Sequence, residues 1–475
     1  MSNEILHSEV MIQDPSIEMK VSECMQVGDS NRFGQIDFSD PMRLPPKSNM
    51  WLMWIAGCTK YAGTTIIFTT GQAYCEYVGL VGGVWPGVLL GAIPLTGAIC
   101  TFMWQIINDQ MGYKFTNVSM CLLGAFGAIL YAVAGALNSP AIMFLGRVIQ
   151  GAAASANIVL HYFSISTGKA SRHYVMSRLV YSGCVGIALG PLISGGIHVL
   201  FGLGFGLGAV SGPILFNVLS IPGWTMAVIY LALALSFYVG WHDLLVSEQH
   251  RYRDFRKVEL KALERIKSKV VSKWLTASLI ILLALFLCIG TCIGAAETRT
   301  VFVAIGNSTK ATSRSAFTWG WTITKTSFFL SGMFLVFGCL AAVIGRATKA
   351  TNIQNRNWLV LFYSFATVFS LTFHDFDPSQ SSSIAIWSVG LIVFETSLSI
   401  AKAHLFTISS SLVPNRFVDI YSSFIGVFHS AGRGLGPILA TYVGNGYDDS
   451  SVFTGIMFGI CASNVFVILL VYRFL

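Results

Sequence analysis

The chain has 475 residues, of which 54% are hydrophobic and only 11% charged, with a mean hydropathy of +0.66. A soluble domain carries about 25% Asp, Glu, Lys and Arg, so a disordered or nucleic-acid-binding chain is excluded and a soluble enzyme is disfavoured. The net charge of +8 gains meaning only from where the basic residues fall.

Residues 1–48 are polar, with eight acids against Lys20, Arg32, Arg43 and Lys47, and no basic stretch leads into an apolar core. A cytosolic amino-terminal tail is expected there, not a signal peptide. From Met50 onward, apolar stretches of about twenty residues recur, each long enough as a helix to cross about 30 Å of hydrocarbon. Twelve are expected, over 50–73, 83–107, 116–137, 140–163, 177–200, 223–242, 274–298, 321–345, 357–373, 383–408, 418–443 and 452–472. The stretch 201–222, rich in glycine and interrupted by Pro213 and Pro222, suits a loop or re-entrant piece better than a span.

The fold class expected is therefore an all-α membrane protein. An amino-terminal six-helix bundle occupies 49–242 and a carboxy-terminal one 274–475. The charged linker 243–273 between them has apolar residues at helical spacing, as an amphipathic helix on a membrane surface would. With both termini cytosolic, 22 of the 30 basic residues fall in cytosolic segments, as the positive-inside rule requires. The basic excess marks topology rather than a nucleic-acid patch. The sequon at Asn307 then lies on the non-cytosolic side, where glycosylation occurs.

The ten cysteines lie mostly in apolar runs without a CxxC pair, and the histidines form no box, so neither a metal site nor a cofactor is expected. GxSxG and GxxxxGK are also lacking, which argues against an enzyme or an ATP-driven pump.

The two halves repeat one another. Gly186-Ile-Ala-Leu-Gly190-Pro191 in the fifth span is matched by Gly432-Arg-Gly-Leu-Gly436-Pro437 in the eleventh. Glycines four apart let helix backbones approach closely, and proline kinks a helix. Phe144-Leu-Gly-Arg147-Val-Ile-Gln150-Gly151 in the fourth span and Gly186-x3-Gly190-Pro191-x-x-Ser194-Gly195 in the fifth resemble motifs of the major facilitator superfamily, with Ser194 where glycine is usual. Asp109-x-x-Gly112-Tyr113-Lys114 resembles its signature between helices 2 and 3, departing at Gln105 and Gln110. Ala296-Glu297-Thr298, the sequon loop, Phe317-Thr-Trp319 and Ser430-Ala-Gly-Arg433 are similar to its lysosomal ceroid-lipofuscinosis-type (SPX-MFS-like) members.

The superfamily resemblance implies a secondary transporter that rocks two bundles about a site lined by helices 1, 4, 7 and 10. The narrower resemblance implies a lysosomal or endosomal membrane, with the plasma membrane as the alternative. Asp109, Gly112, Lys114, Gln150, Gly151, Gly186, Gly190, Pro191, Gly432, Gly436 and Pro437 become the conformational motif residues.

Ionisable side chains in a bilayer core are costly, so each is a functional candidate. The candidates for binding or coupling are Lys60, Arg147, Glu297, Arg299, Glu395 and Arg433. Lys60 either pairs with a carboxylate or binds solute. Arg147 either satisfies backbone carbonyls or, as the resemblance implies, takes part in proton coupling. Glu297 and Glu395 either neutralise Arg299 and Lys402 or carry a proton. Arg433 suits packing and binding equally, and His404 and His429 read better as satisfied polar residues than as sensors.

The excess of positive charge among the deep residues predicts a small anionic solute, with protons as a coupling partner and the lipid bilayer as surroundings. The protein is expected to act as a monomer. An anion-conducting facilitator on the same fold and a transport-inactive receptor are the alternatives.

Overall fold

A computed structural model of the chain describes residue 42 and residues 44–81, 83–154, 157–167, 171–204, 216–242, 273–305, 319–349, 353–374, 381–412, 418–446 and 450–471. These belong to the compact unit Pro41–Leu475. Most of the tail, all but the last residue of the linker expected over 243–273, and Asn307 lie outside the described residues, as does 205–215, the centre of the stretch read as a loop.

The helices are α1 (Lys47–Thr65), α2 (Gly71–Tyr77), α3 (Trp85–Val133), α4 (Pro140–Ala152), α5 (Asn157–Ser166), α6 (Arg172–Gly204) and α7 (Ile221–Gly240) in the first half. The second half holds α8 (Lys273–Ile305), α9 (Ile323–Lys349), α10 (Asn355–Ser370), α11 (Ser381–Leu412), α12 (Val418–Gly446) and α13 (Ser450–Val471). Seven of the described helices are long and apolar enough to cross a membrane. Their outer faces carry side chains such as Ile99, 77% exposed, and Val239, 75% exposed, which suit lipid and would be costly in water.

The expected spans map onto these helices with three local differences. The first span ends its main helix at Thr65 and resumes as α2 after a turn over residues 66–70. The fourth is divided between α4 and α5. The second and third run as one 49-residue helix broken only at Gly112, where φ is 83° and ψ 170°. That backbone conformation is open essentially to glycine alone, which is why the signature loop turns there. The start of α4 is set locally. Ser139 caps it by accepting a bond from the Ile142 amide, and Pro140 sits in the first turn, where its missing N–H costs nothing.

Packing repeats between the halves. α1 lies against α6 as α8 lies against α12, and the halves meet through α3 with α12 and α6 with α9. The duplicated glycines explain the first pair of contacts. A Cβ at Gly186 would run into the carbonyl of Cys58, and one at Gly190 into Thr65 and Ile66. In the second half, a Cβ at Gly432 would meet the carbonyl of Leu287, and one at Gly436 would meet Thr291 and Ala295. Each GxxxGP therefore seats the fifth helix of its half directly on the backbone of the first. Gly434 extends the same chemistry across the halves, facing Gly91 and Leu95 of α3.

Candidate functional site

Because α12 lies so close to α8, the two helices share a buried ion pair. Arg433 Nη1 donates to Glu297 Oε1 at 2.9 Å, with the Glu297 side chain 1% exposed. Tyr61 of α1, in the first half, lies within charge range of both members of this pair. Glu395 of α11 lies within charge range of both Glu297 and Arg433. Neither Glu395 oxygen has a hydrogen-bond partner among the described residues, and the same holds for Glu297 Oε2.

Lys402, two turns beyond Glu395 on α11, donates to Nε2 of His429 on α12 at 2.9 Å. The imidazole must accept that bond, so it presents the ammonium rather than competing with it. Lys60 of α1 comes from the opposite half, and its charge acts directly on that of Lys402. No carboxylate or other hydrogen-bond partner meets the Lys60 amine among the described residues. α1, α8, α11 and α12 therefore bring Lys60, Tyr61, Glu297, Glu395, Lys402, His429 and Arg433 into one electrostatic cluster.

Two of the expected site residues lie apart from it. Arg147, 1% exposed, donates to the carbonyls of Gly63 at 3.1 Å and Thr64 at 3.4 Å and to Gln150 Oε1 at 2.8 Å, and it lies over the Tyr131 ring. The last carbonyls of a helix have no partner within it, and α1 ends at Thr65, so Arg147 caps α1 from α4. Arg299 lies over the ring of Phe453 at 5.8 Å, joining α8 to α13. The pairings weighed from sequence are thus rearranged: Glu297 meets Arg433 rather than Arg299, and Lys402 meets His429 rather than Glu395. Sequence could not choose these partners, because they come from different helices. His404 is a satisfied polar residue, bonded to Asn355 Oδ1 at 2.9 Å.

The motif residues fall where close approach is needed. Gly151 faces the backbone of Ile93 on α3. Asp109 is exposed beside the Gly112 break, and Lys114 lies over the ring of Tyr238, 5.2 Å from its centre, linking α3 to the end of α7. Pro191 and Pro437 sit inside α6 and α12. Sequence reading missed Thr69 and Ser327, whose hydroxyls meet across the halves at 2.8 Å. The only signal was that Ser194, which also approaches Thr69, replaces a glycine of the fifth-helix motif.

Two glycine-seated helical halves with a buried charge cluster at their junction define a multi-pass membrane protein. The chain belongs to the Major Facilitator Superfamily, whose profile matches residues 53–437. Over 194 residues it is 26% identical to an SPX domain-containing membrane protein of Arabidopsis thaliana, covering 40% of this chain and 25% of that protein. To one from Oryza sativa subsp. japonica it is 22% identical over 191 residues, covering 40% and 25%. The matched region is thus about a quarter of the length of these curated relatives.

Among solved structures, the xylose transporter XylE from E. coli, in a partially occluded inward-open conformation, superposes with a TM-score of 0.63 at 10% identity, covering 90% of this chain and 97% of that one. The nucleoside transporter NupG gives 0.62 at 14% identity, covering 90% and 100%. The human organic anion transporter MFSD10 gives 0.59 at 13%, covering 89% and 100%. Identities this low establish a shared fold.

Proposed function

We propose that the protein carries a small anionic solute across its membrane by alternating access, with protons as the coupling ion. The observation that supports this most is the approach of Lys60 from one half to Lys402 from the other, with no carboxylate assigned to either. An ammonium without a counter-ion is costly in a membrane interior, and an anion bound between the two lysines would offset that cost while touching both rocking halves. Arg433 is already occupied by Glu297, so the lysines are the binding groups in this reading. Glu395 is the proton site in this reading, because it is buried and neither of its oxygens meets a donor among the described residues.

An endosomal or lysosomal membrane, with Asn307 on its lumenal side, and a monomeric state complete the reading. Purified protein in proteoliposomes, loaded with a panel of small organic and inorganic anions, tests it. A pH gradient should drive accumulation of at least one anion. Lys60→Ala should abolish that flux, whereas Glu395→Gln should keep anion exchange but lose pH-driven accumulation. Undiminished flux through Lys60→Ala would refute the binding role.

A further inference from the structure

We infer that Thr69, Ser194 and Ser327 are further residues of the transport machinery, forming a hydroxyl latch that holds the two halves together on the membrane face where α1 ends and α9 begins. Thr69 lies in the turn between α1 and α2, Ser194 on α6 and Ser327 on α9. All three are buried: Thr69 is 2% exposed, and Ser194 and Ser327 are 0% exposed. The Thr69 hydroxyl is 2.8 Å from that of Ser327, in the opposite half, and 3.4 Å from that of Ser194.

A serine within a helix can bond back to the carbonyl one turn earlier, as Ser166, Ser364 and Ser388 do, to Tyr162, Val360 and Ile384. Among the described residues Ser194 and Ser327 do not, and each has Thr69 as its hydrogen-bond partner. The break after Thr65 is what frees Thr69 to reach them, since residues 66–70 leave the helix. The neighbouring glycine makes the approach possible, because a Cβ at Gly195 would lie 3.0 Å from that of Ser327. Around the three hydroxyls, Ile66, Ile67 and Phe68 of the first half pack in one apolar cluster with Val301, Leu330 and Phe334 of the second. The latch is thus polar inside an apolar seal.

That composition suits a gate that must open in every cycle. Hydroxyls that part are rehydrated, so the bond between them is worth only a modest bias toward closure, whereas a wholly apolar seam would expose its full surface to water. Ser194 acquires a reason to replace the motif glycine: its hydroxyl completes the latch. Losing one neutral hydrogen bond of this kind should shift the ratio of open to closed conformers about fivefold, equivalent to about 1 kcal/mol.

Electron–electron double resonance on the full chain in nanodiscs tests this without any solute. Nitroxides would be placed at Val81 and Thr322, exposed residues of the two halves on this face. Accessible native cysteines, Cys339 among them, would first be changed to Ser. Thr69→Val and Ser327→Ala should each raise the long-to-short distance ratio about fivefold, and the double variant should go no further than either. Thr69→Ser, which keeps the hydroxyl without adding bulk, should retain the parent distribution, and Ser194→Gly should shift it less, across the longer contact. Superimposable distributions for Thr69→Val and the parent, or single effects that simply add in the double variant, would overturn the latch.

Discussion

Adding one methyl group at Gly186 or at Gly432 should loosen the protein in the same way, because each glycine seats the fifth helix of its half on the first. A Cβ at either position would fall well inside van der Waals contact with a backbone carbonyl, that of Cys58 or of Leu287. Carbon and oxygen need roughly 3.5 Å, and a carbonyl locked in a helix cannot rotate away, so the backbones must part by roughly 1 Å. Overpacking of this kind costs about 1–3 kcal/mol, with the upper end expected where the obstacle is backbone. Alanine returns about 0.5–1 kcal/mol through its better helix propensity, leaving a net loss of about 2 kcal/mol. At about 2–4 °C per kcal/mol for a bundle of roughly 200 residues, the thermal midpoint in nanodiscs should fall by about 4–8 °C. Gly196→Ala is the internal control, since a Cβ there meets nothing within 4 Å, and its midpoint should hold or rise slightly. If Gly186→Ala and Gly432→Ala unfold at the parent temperature, the helices are not in backbone contact and the packing account of the repeat is wrong.

Other consequences are accessible with the same protein. Arg433→Leu leaves Glu297 buried without its counter-charge, and removing one member of such a pair costs about 3–5 kcal/mol; its midpoint should drop further than that of Arg433→Leu/Glu297→Leu, and equal midpoints would show that the pair is not buried as a unit. Gly112→Ala meets no steric obstacle, so its cost of about 1–3 kcal/mol is backbone strain alone. Gly112→Asn should be no better, because a ψ of 170° lies outside the left-handed helical region that asparagine tolerates. A parent-like midpoint for Gly112→Asn would place the break elsewhere.

The sequence was most legible where the signal is local. Spans of about twenty apolar residues declare themselves because each helix satisfies its own backbone, and the duplicated Gly-Pro element declared the two halves. Interruptions within spans were not legible: the turn after Thr65 contains Ile66, Ile67 and Phe68, residues as apolar as any in a helix, and what stabilises the early stop includes Arg147 reaching from α4. The list of deep charges also followed from hydropathy alone. Their partners did not.

What the amino-acid order determined by itself is therefore the membrane-spanning class, the internal repeat and the short inventory of ionisable residues inside the spans, all properties of single helices or of spacing along the chain. Only the tertiary structure decided that Arg433 pairs with Glu297, that His429 presents Lys402, that Lys60 faces them from the other half, and that Thr69 bridges to Ser327. Glu297 and Arg433 are 136 residues apart, and Thr69 and Ser327 are 258 apart. Over such separations the chain pattern carries no distance information, and the contacts exist because glycines let particular helices come close enough for particular side chains to meet.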